Sequence, residues 1–133
     1  MERFSGRQRV YIADGDSEFA NLVKTALDKE RDIAVIGCAS SGTDAEEEIV
    51  RLAPELVLTD LTLKDIDGLE LLKRINERMG ERRPRVIVIT GMSSLTCVQR
   101  ACALGADSYL LKPVSDRVLV DRVKSLRTAP TPM

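Results

Sequence analysis

The sequence predicts one α/β domain, a parallel sheet wound on both faces by helices, and three observations carry that expectation. Short β-rich apolar runs alternate with longer stretches at helical spacing. A chain of 133 residues, 44% of them hydrophobic, closes a core without disulfide or metal staples. Four of the apolar runs also end at a residue able to do chemistry, Asp14, Asp60, Thr90 and Lys112, and in a parallel sheet those ends share one edge.

Val10–Ala13 reads as the first strand, ending at Asp14, and Ser17 as the cap of a helix turning Phe19, Leu22, Val23, Ala26 and Leu27 inward. Ile33–Ala39 is the second strand. Ser40-Ser41-Gly42-Thr43 leads into a helix with Ala45, Ile49, Val50 and Leu52 inward and Glu46, Glu47 and Glu48 as a solvated face, stopped by Pro54. Leu56–Thr59 is apolar enough for a central strand and ends at Asp60. After the loop from Leu61 to Asp67, Gly68 opens a helix with Leu69, Leu72, Ile75 and Met79, followed by the connector Glu81-Arg82-Arg83-Pro84. Val86–Ile89 is the fourth strand, ending at Thr90-Gly91. Ser93-Ser94 begins a helix carrying Val98, Ala101, Cys102 and Leu104 inward, with Gly105 closing it. Ser108–Leu111 is the last strand and runs into Lys112-Pro113. A final helix from about Ser115 turns Val118, Leu119, Val123 and Leu126 inward. The domain is expected over residues 9–126, with 127–133 a polar, Pro-rich disordered tail or the start of a linker.

Composition excludes several functions. Twenty Lys plus Arg against twenty-one Asp plus Glu leave no surplus of positive charge for a phosphate backbone, so nucleic-acid binding by this domain is not expected. With no His, Ser-His-Asp, Cys-His and histidine-metal chemistry fall away. Cys38, Cys97 and Cys102 are odd in number and form no C-x-x-C pair, so they read as small apolar side chains. Two Phe, two Tyr and no Trp leave little with which to stack a flavin or a base. The start lacks an apolar signal region and no run reaches the roughly 18 residues of a membrane span, so the expectation is a cytoplasmic chain without membrane contact.

Asp14 and Asp60 would face each other if the first and third strands are neighbours. Close carboxylates repel unless a cation neutralises them, and oxygen ligands without His or Cys favour magnesium. A carboxylate can also attack phosphorus, while Lys112 and the Thr90 hydroxyl would meet the oxygens of a transferring phosphoryl group. The set suits phosphoryl transfer.

From roughly Arg9 to Leu126 the chain resembles the receiver domains of two-component response regulators. Asp14-Gly15-Asp16 stands at their acidic pair, Asp60 to Asp67-Gly68 at their phosphoacceptor motif, Thr90-Gly91 at the switch hydroxyl, and Gly105 to Pro113 at the final signature. A narrower likeness, in Asp14 to Phe19 and Ile33 to Gly37, points toward receivers of the sporulation master regulators. The resemblance implies a flavodoxin-like fold of five parallel strands in order 2-1-3-4-5 with five helices. It implies that Asp60 takes a phosphoryl group from a histidine kinase or phosphotransfer protein, assisted by Thr90 and Lys112. It further implies a cis bond before Pro113, Thr90 and Tyr109 as switch residues, and a possible homodimer through the face of the fourth helix, fifth strand and fifth helix. Magnesium would be held by Asp14, Asp60 and the backbone carbonyl of Thr62, with Asp16, which could equally cap the first helix, a further candidate.

Two departures matter. Receivers bind the ion directly through the second acidic residue, where this chain has Gly15, and Lys64 replaces their usual proline, which is expected to loosen the loop. These favour an alternative, a degenerate receiver acting through protein contacts without phosphorylation. A third reading is a haloacid-dehalogenase-like phosphatase with Asp14 as nucleophile and Asp16 as general acid, which leaves the motif around Asp60 unexplained.

Overall fold

The computed structural model describes residues 6–127. Its elements run β1 (Gln8–Ala13), α1 (Ser17–Asp28), β2 (Ile33–Ala39), α2 (Gly42–Leu52), β3 (Leu56–Thr59), α3 (Gly68–Met79), a 3-10 turn (Gly80–Arg82), β4 (Arg85–Thr90), α4 (Leu95–Ala103), β5 (Ser108–Leu111) and α5 (Asp116–Ser125). The strands form one parallel sheet in the order β2-β1-β3-β4-β5, as expected.

Every residue of β3 is buried, which is why Leu56, Val57 and Leu58 run apolar without alternating, while the buried Thr59 hydroxyl donates to the Asp60 carbonyl. One sheet face buries Val10, Ile12, Leu58 and Ile87 against Val23 and Leu27 of α1 and Leu119 and Val123 of α5. The other buries Tyr11, Val57 and Val88 against Ile49 of α2, Leu72 and Ile75 of α3 and Ala101 of α4. Register then places the chemistry. Ala13 pairs with Thr59, so the next residues, Asp14 and Asp60, leave the sheet side by side. Thr90 pairs with Leu111, so Lys112 follows directly, and its amide donates to the Thr90 carbonyl at 2.8 Å.

Several expectations are corrected. The cap of α1 is Asp16, whose carboxylate accepts from the amides of Glu18 and Phe19, while Ser17 is the first helical residue. Leu22 and Val118, expected inward, are 66% and 47% exposed, because α1 and α5 pack on the sheet through narrower stripes than their apolar patterns suggest. Cys38 and Cys102 are exposed and so are not core side chains, whereas Cys97 is partly covered and packs against the core as a small apolar side chain. The glutamate run is not a uniformly solvated face. Glu46 is buried between Arg74 and Arg78, with N–O distances of 3.3 and 3.0 Å, and Glu48 accepts from the hydroxyl of buried Tyr11. Both arginines come from α3, a helix the sequence does not show to be packed beside α2. Of the expected tail, 128–133 lie outside the described residues, while Arg127 bonds to the Gly6 carbonyl and lies 3.7 Å from Asp32.

Candidate functional site

The site sits at the carboxyl ends of β1, β3, β4 and β5. Asp14, Asp60 and Thr90 are buried there although each is polar, and a buried polar group must find partners. The Nζ of Lys112 supplies one to each aspartate, 2.8 Å from Asp60 Oδ2 and 3.1 Å from Asp14 Oδ2. The remaining carboxylate oxygens turn to backbone. Asp14 Oδ1 accepts from the Asp16 amide at 2.8 Å, and Asp60 Oδ1 from the amides of Leu61 and Thr62 at 2.6 and 3.2 Å. The peptide before Pro113 is cis. The Lys112 ammonium also lies 4.0 Å from the centre of the Phe19 ring, a cation–π contact within the usual range.

Two carboxylates thus share one ammonium. Burial pushes the Asp14 carboxyl above its ordinary range, against the opposing bonds from Asp16 and Lys112. Burial alone would lower the Lys112 pKa, but its bonds to Asp60 and Asp14 outweigh that and raise it. The pocket therefore holds a surplus of negative charge that favours a further cation.

Thr90 and Tyr109 meet through one backbone residue. The Met92 amide donates to Thr90 Oγ1 at 3.3 Å, and the Tyr109 hydroxyl donates to the Met92 carbonyl at 2.7 Å. Met92 was not a sequence candidate, since an apolar side chain in a loop gives no signal for a role played by its peptide. A Cβ built on neighbouring Gly91 meets no atom within 4 Å, so the surface beside Thr90 is open.

The loop between β3 and α3 is tied down more tightly than Lys64 in place of proline suggests. The Lys64 amide donates to the Ser40 carbonyl at 3.1 Å. The Asp65 carboxylate accepts from the amides of Gly42 and Thr43 at the start of α2, and from the hydroxyls of Ser41 and Thr43. These bonds, led by that from the Thr43 hydroxyl, hold the Asp65 carboxyl well below the usual range. Asp65 stands as an anion at a helix N-terminus, where peptide dipoles favour it.

Position 15 offers no side chain, and Asp16 Oδ1 is engaged as the α1 cap. The Gly15 amide donates to the Thr62 carbonyl at 3.2 Å. Among the described residues no group of three or more carboxylates or thiols gathers at metal-holding range. The Asp14 and Asp60 carboxylates meet at Lys112, and the Thr62 carbonyl lies against the backbone of Gly15, the residue after Asp14.

A parallel sheet in this order carries two aspartates, a threonine and a lysine at one edge, the arrangement of a receiver-type α/β domain. Residues 10–124 match the response regulator receiver domain, and the chain belongs to that family. It is 35% identical over 107 residues to a protein-glutamate methylesterase/protein-glutamine glutaminase of Methanospirillum hungatei, covering 79% of this chain and 31% of that protein. It is 33% identical over 118 residues to the transcriptional regulatory protein LiaR of Bacillus subtilis, covering 88% of this chain and 54% of that protein. The receiver domain structure of a NarL response regulator from Mycobacterium tuberculosis superimposes with a TM-score of 0.83 at 27% identity, over 90% of this chain and 94% of that one. The chain spans about a third to about half of the length of these curated relatives. Among the described residues no helix is long and apolar enough to cross a membrane.

Proposed function

We propose that this domain, over residues 9–126, accepts a phosphoryl group on Asp60 from a phosphohistidine of a histidine kinase or phosphotransfer protein, and changes conformation in response. The observation that carries the reading is the Lys112 ammonium held 2.8 Å from Asp60 and 3.1 Å from Asp14 at one sheet edge. An Asp60 carboxylate oxygen attacks phosphorus. The new P–O bond forms as the P–N bond to the donor imidazole breaks, and the departing electron pair stays on that imidazole nitrogen, which takes a proton. Lys112 meets the charge on the phosphoryl oxygens, and the Thr90 hydroxyl donates to one of them. When Thr90 turns toward that oxygen it leaves the Met92 amide, and Met92 is also the partner of the Tyr109 hydroxyl. The switch thus reaches the face of α4, β5 and α5, where a second copy or an output partner would bind.

Receiver domains bind magnesium in this acidic pocket, and here Asp14, Asp60 and the Thr62 carbonyl would hold it, with one carboxylate fewer at Gly15. The ion supplies positive charge to the oxygens of the transferring group. A cytoplasmic setting follows from a kinase partner that spends ATP. One observation favours a second reading, a receiver signalling without phosphorylation: the Gly15 amide already occupies the Thr62 carbonyl. Incubation with acetyl phosphate and magnesium separates the readings. A phospho-accepting receiver takes up at most one phosphoryl group per chain. No uptake favours phosphorylation-independent contacts, and continuing turnover of a generic phosphate ester favours a phosphatase.

A further inference from the structure

We infer that Gly15 and Thr62 form a backbone latch that competes with a bound cation for the Thr62 carbonyl. The inference rests on the reading of the Asp14–Asp60 pocket as a magnesium-assisted phosphoacceptor site, and concerns how this chain regulates entry to it.

The contact is close. A Cβ at position 15 would lie 2.7 Å from the Thr62 carbonyl oxygen, 3.4 Å from Leu63 Cα and 3.5 Å from the Thr62 carbonyl carbon. All three are backbone atoms, so no side-chain rotation relieves the overlap. Gly15 is not among the glycines with positive φ, so a left-handed turn is not what requires glycine here, and the approach of the two loops is. That approach lets the Gly15 amide reach the Thr62 oxygen at 3.2 Å.

A carbonyl oxygen has two lone pairs, and the Gly15 N–H takes one. Its positive hydrogen also points at the oxygen a cation would approach, so the two repel. Cation binding through Thr62 must therefore loosen the latch, while the bonds of Lys64 and Asp65 hold the rest of the loop in place. The missing carboxylate and the latch weaken cation binding by different means. Gly15→Asp changes both at once, because its Cβ opens the latch while its carboxylate adds a ligand. Gly15→Ala opens the latch and adds no ligand.

Magnesium alone, without phosphodonor, is titrated into the natural chain and into Gly15→Ala by calorimetry, and hydrogen exchange of the Gly15 amide is followed by NMR in the natural chain. Opening the latch removes the cost of one net hydrogen bond from cation binding, so Gly15→Ala should bind magnesium about five-fold more tightly. Saturating magnesium should reduce exchange protection of the Gly15 amide. Equal or weaker binding by a folded Gly15→Ala chain overturns the inference. Should that variant not fold, the amide measurement decides, and unchanged protection at saturating magnesium overturns it. No phosphorylation enters either readout. Failure to label Asp60 and failure of the latch are therefore told apart.

Discussion

Lys112 neutralises one charge where Asp14 and Asp60 present two, and that imbalance governs the site at the scale of single residues. Burial raises the Asp14 pKa, so the folded state holds a proton there more readily than the unfolded chain does. A group raised in this way contributes stability below its ordinary pKa of 3.8 and loses it as pH rises through the folded value. Asp14→Asn should therefore be more stable than the natural chain at neutral pH, with the advantage vanishing near pH 3. Urea melts at both pH values check this, and an advantage unchanged at pH 3 would contradict it. Asp14, Asp60, Thr90 and Lys112 were legible in the sequence because each ends an apolar run and a parallel register brings such ends together. Met92 and the Gly15–Thr62 contact were not, since both act through peptide groups whose meeting depends on loop shape.

At the scale of elements, the loop between β3 and α3 is where sequence and structure differ most. Lys64 for proline suggested a loosened loop, but Asp65 ties it to the start of α2 through bonds that no local pattern announces. A carboxyl held low contributes stability above its ordinary pKa of 3.8 and loses it as pH falls through the folded value. Asp65→Asn should therefore melt below the natural chain at pH 7, and the difference should shrink below about pH 3. Equal melting at pH 7 would contradict the clamp. The start of α3 gives a second test. A Cβ at Gly68 would lie 2.4 Å from the Asp60 carbonyl oxygen and 2.8 Å from Leu61 Cα, whereas one at Gly91 meets nothing within 4 Å. Gly68→Ala should cost about 1–3 kcal/mol, as forced overpacking does. Gly91→Ala should stay within about 0.5 kcal/mol, as surface changes do. Chemical denaturation measures both, and equal losses would argue against the close packing of α3 on the β3 end. The strands themselves were legible to within a residue or two, because the bodies of β1, β3 and β4 are buried on both faces and read as continuous apolar runs. Which side of each helix packs was read less well, as exposed Leu22 and buried Glu46 show.

At the scale of the whole molecule, the sheet places a charged pocket at one edge and leaves apolar side chains exposed on one flank. Leu95 of α4, Leu111 of β5 and Val118 of α5 are 69%, 48% and 47% exposed. Leu111 shares β5 with Tyr109, and Leu95 opens α4 shortly after Met92. With a beryllofluoride adduct on Asp60, light scattering should show self-association that Leu111→Ser weakens and that the untreated chain shows less. Association equal in all three samples would separate this face from the switch.

Phosphoryl transfer to Asp60 is tested by mapping the residue that carries the phosphoryl group. The chain is treated with acetyl phosphate and magnesium, the acyl phosphate is reduced with borohydride, and the peptides are mapped by mass for the homoserine that replaces the modified aspartate. Homoserine at position 60, absent when Asp60→Asn is treated in the same way, is the predicted result. Homoserine at position 14 or 16 with position 60 unmodified would contradict it.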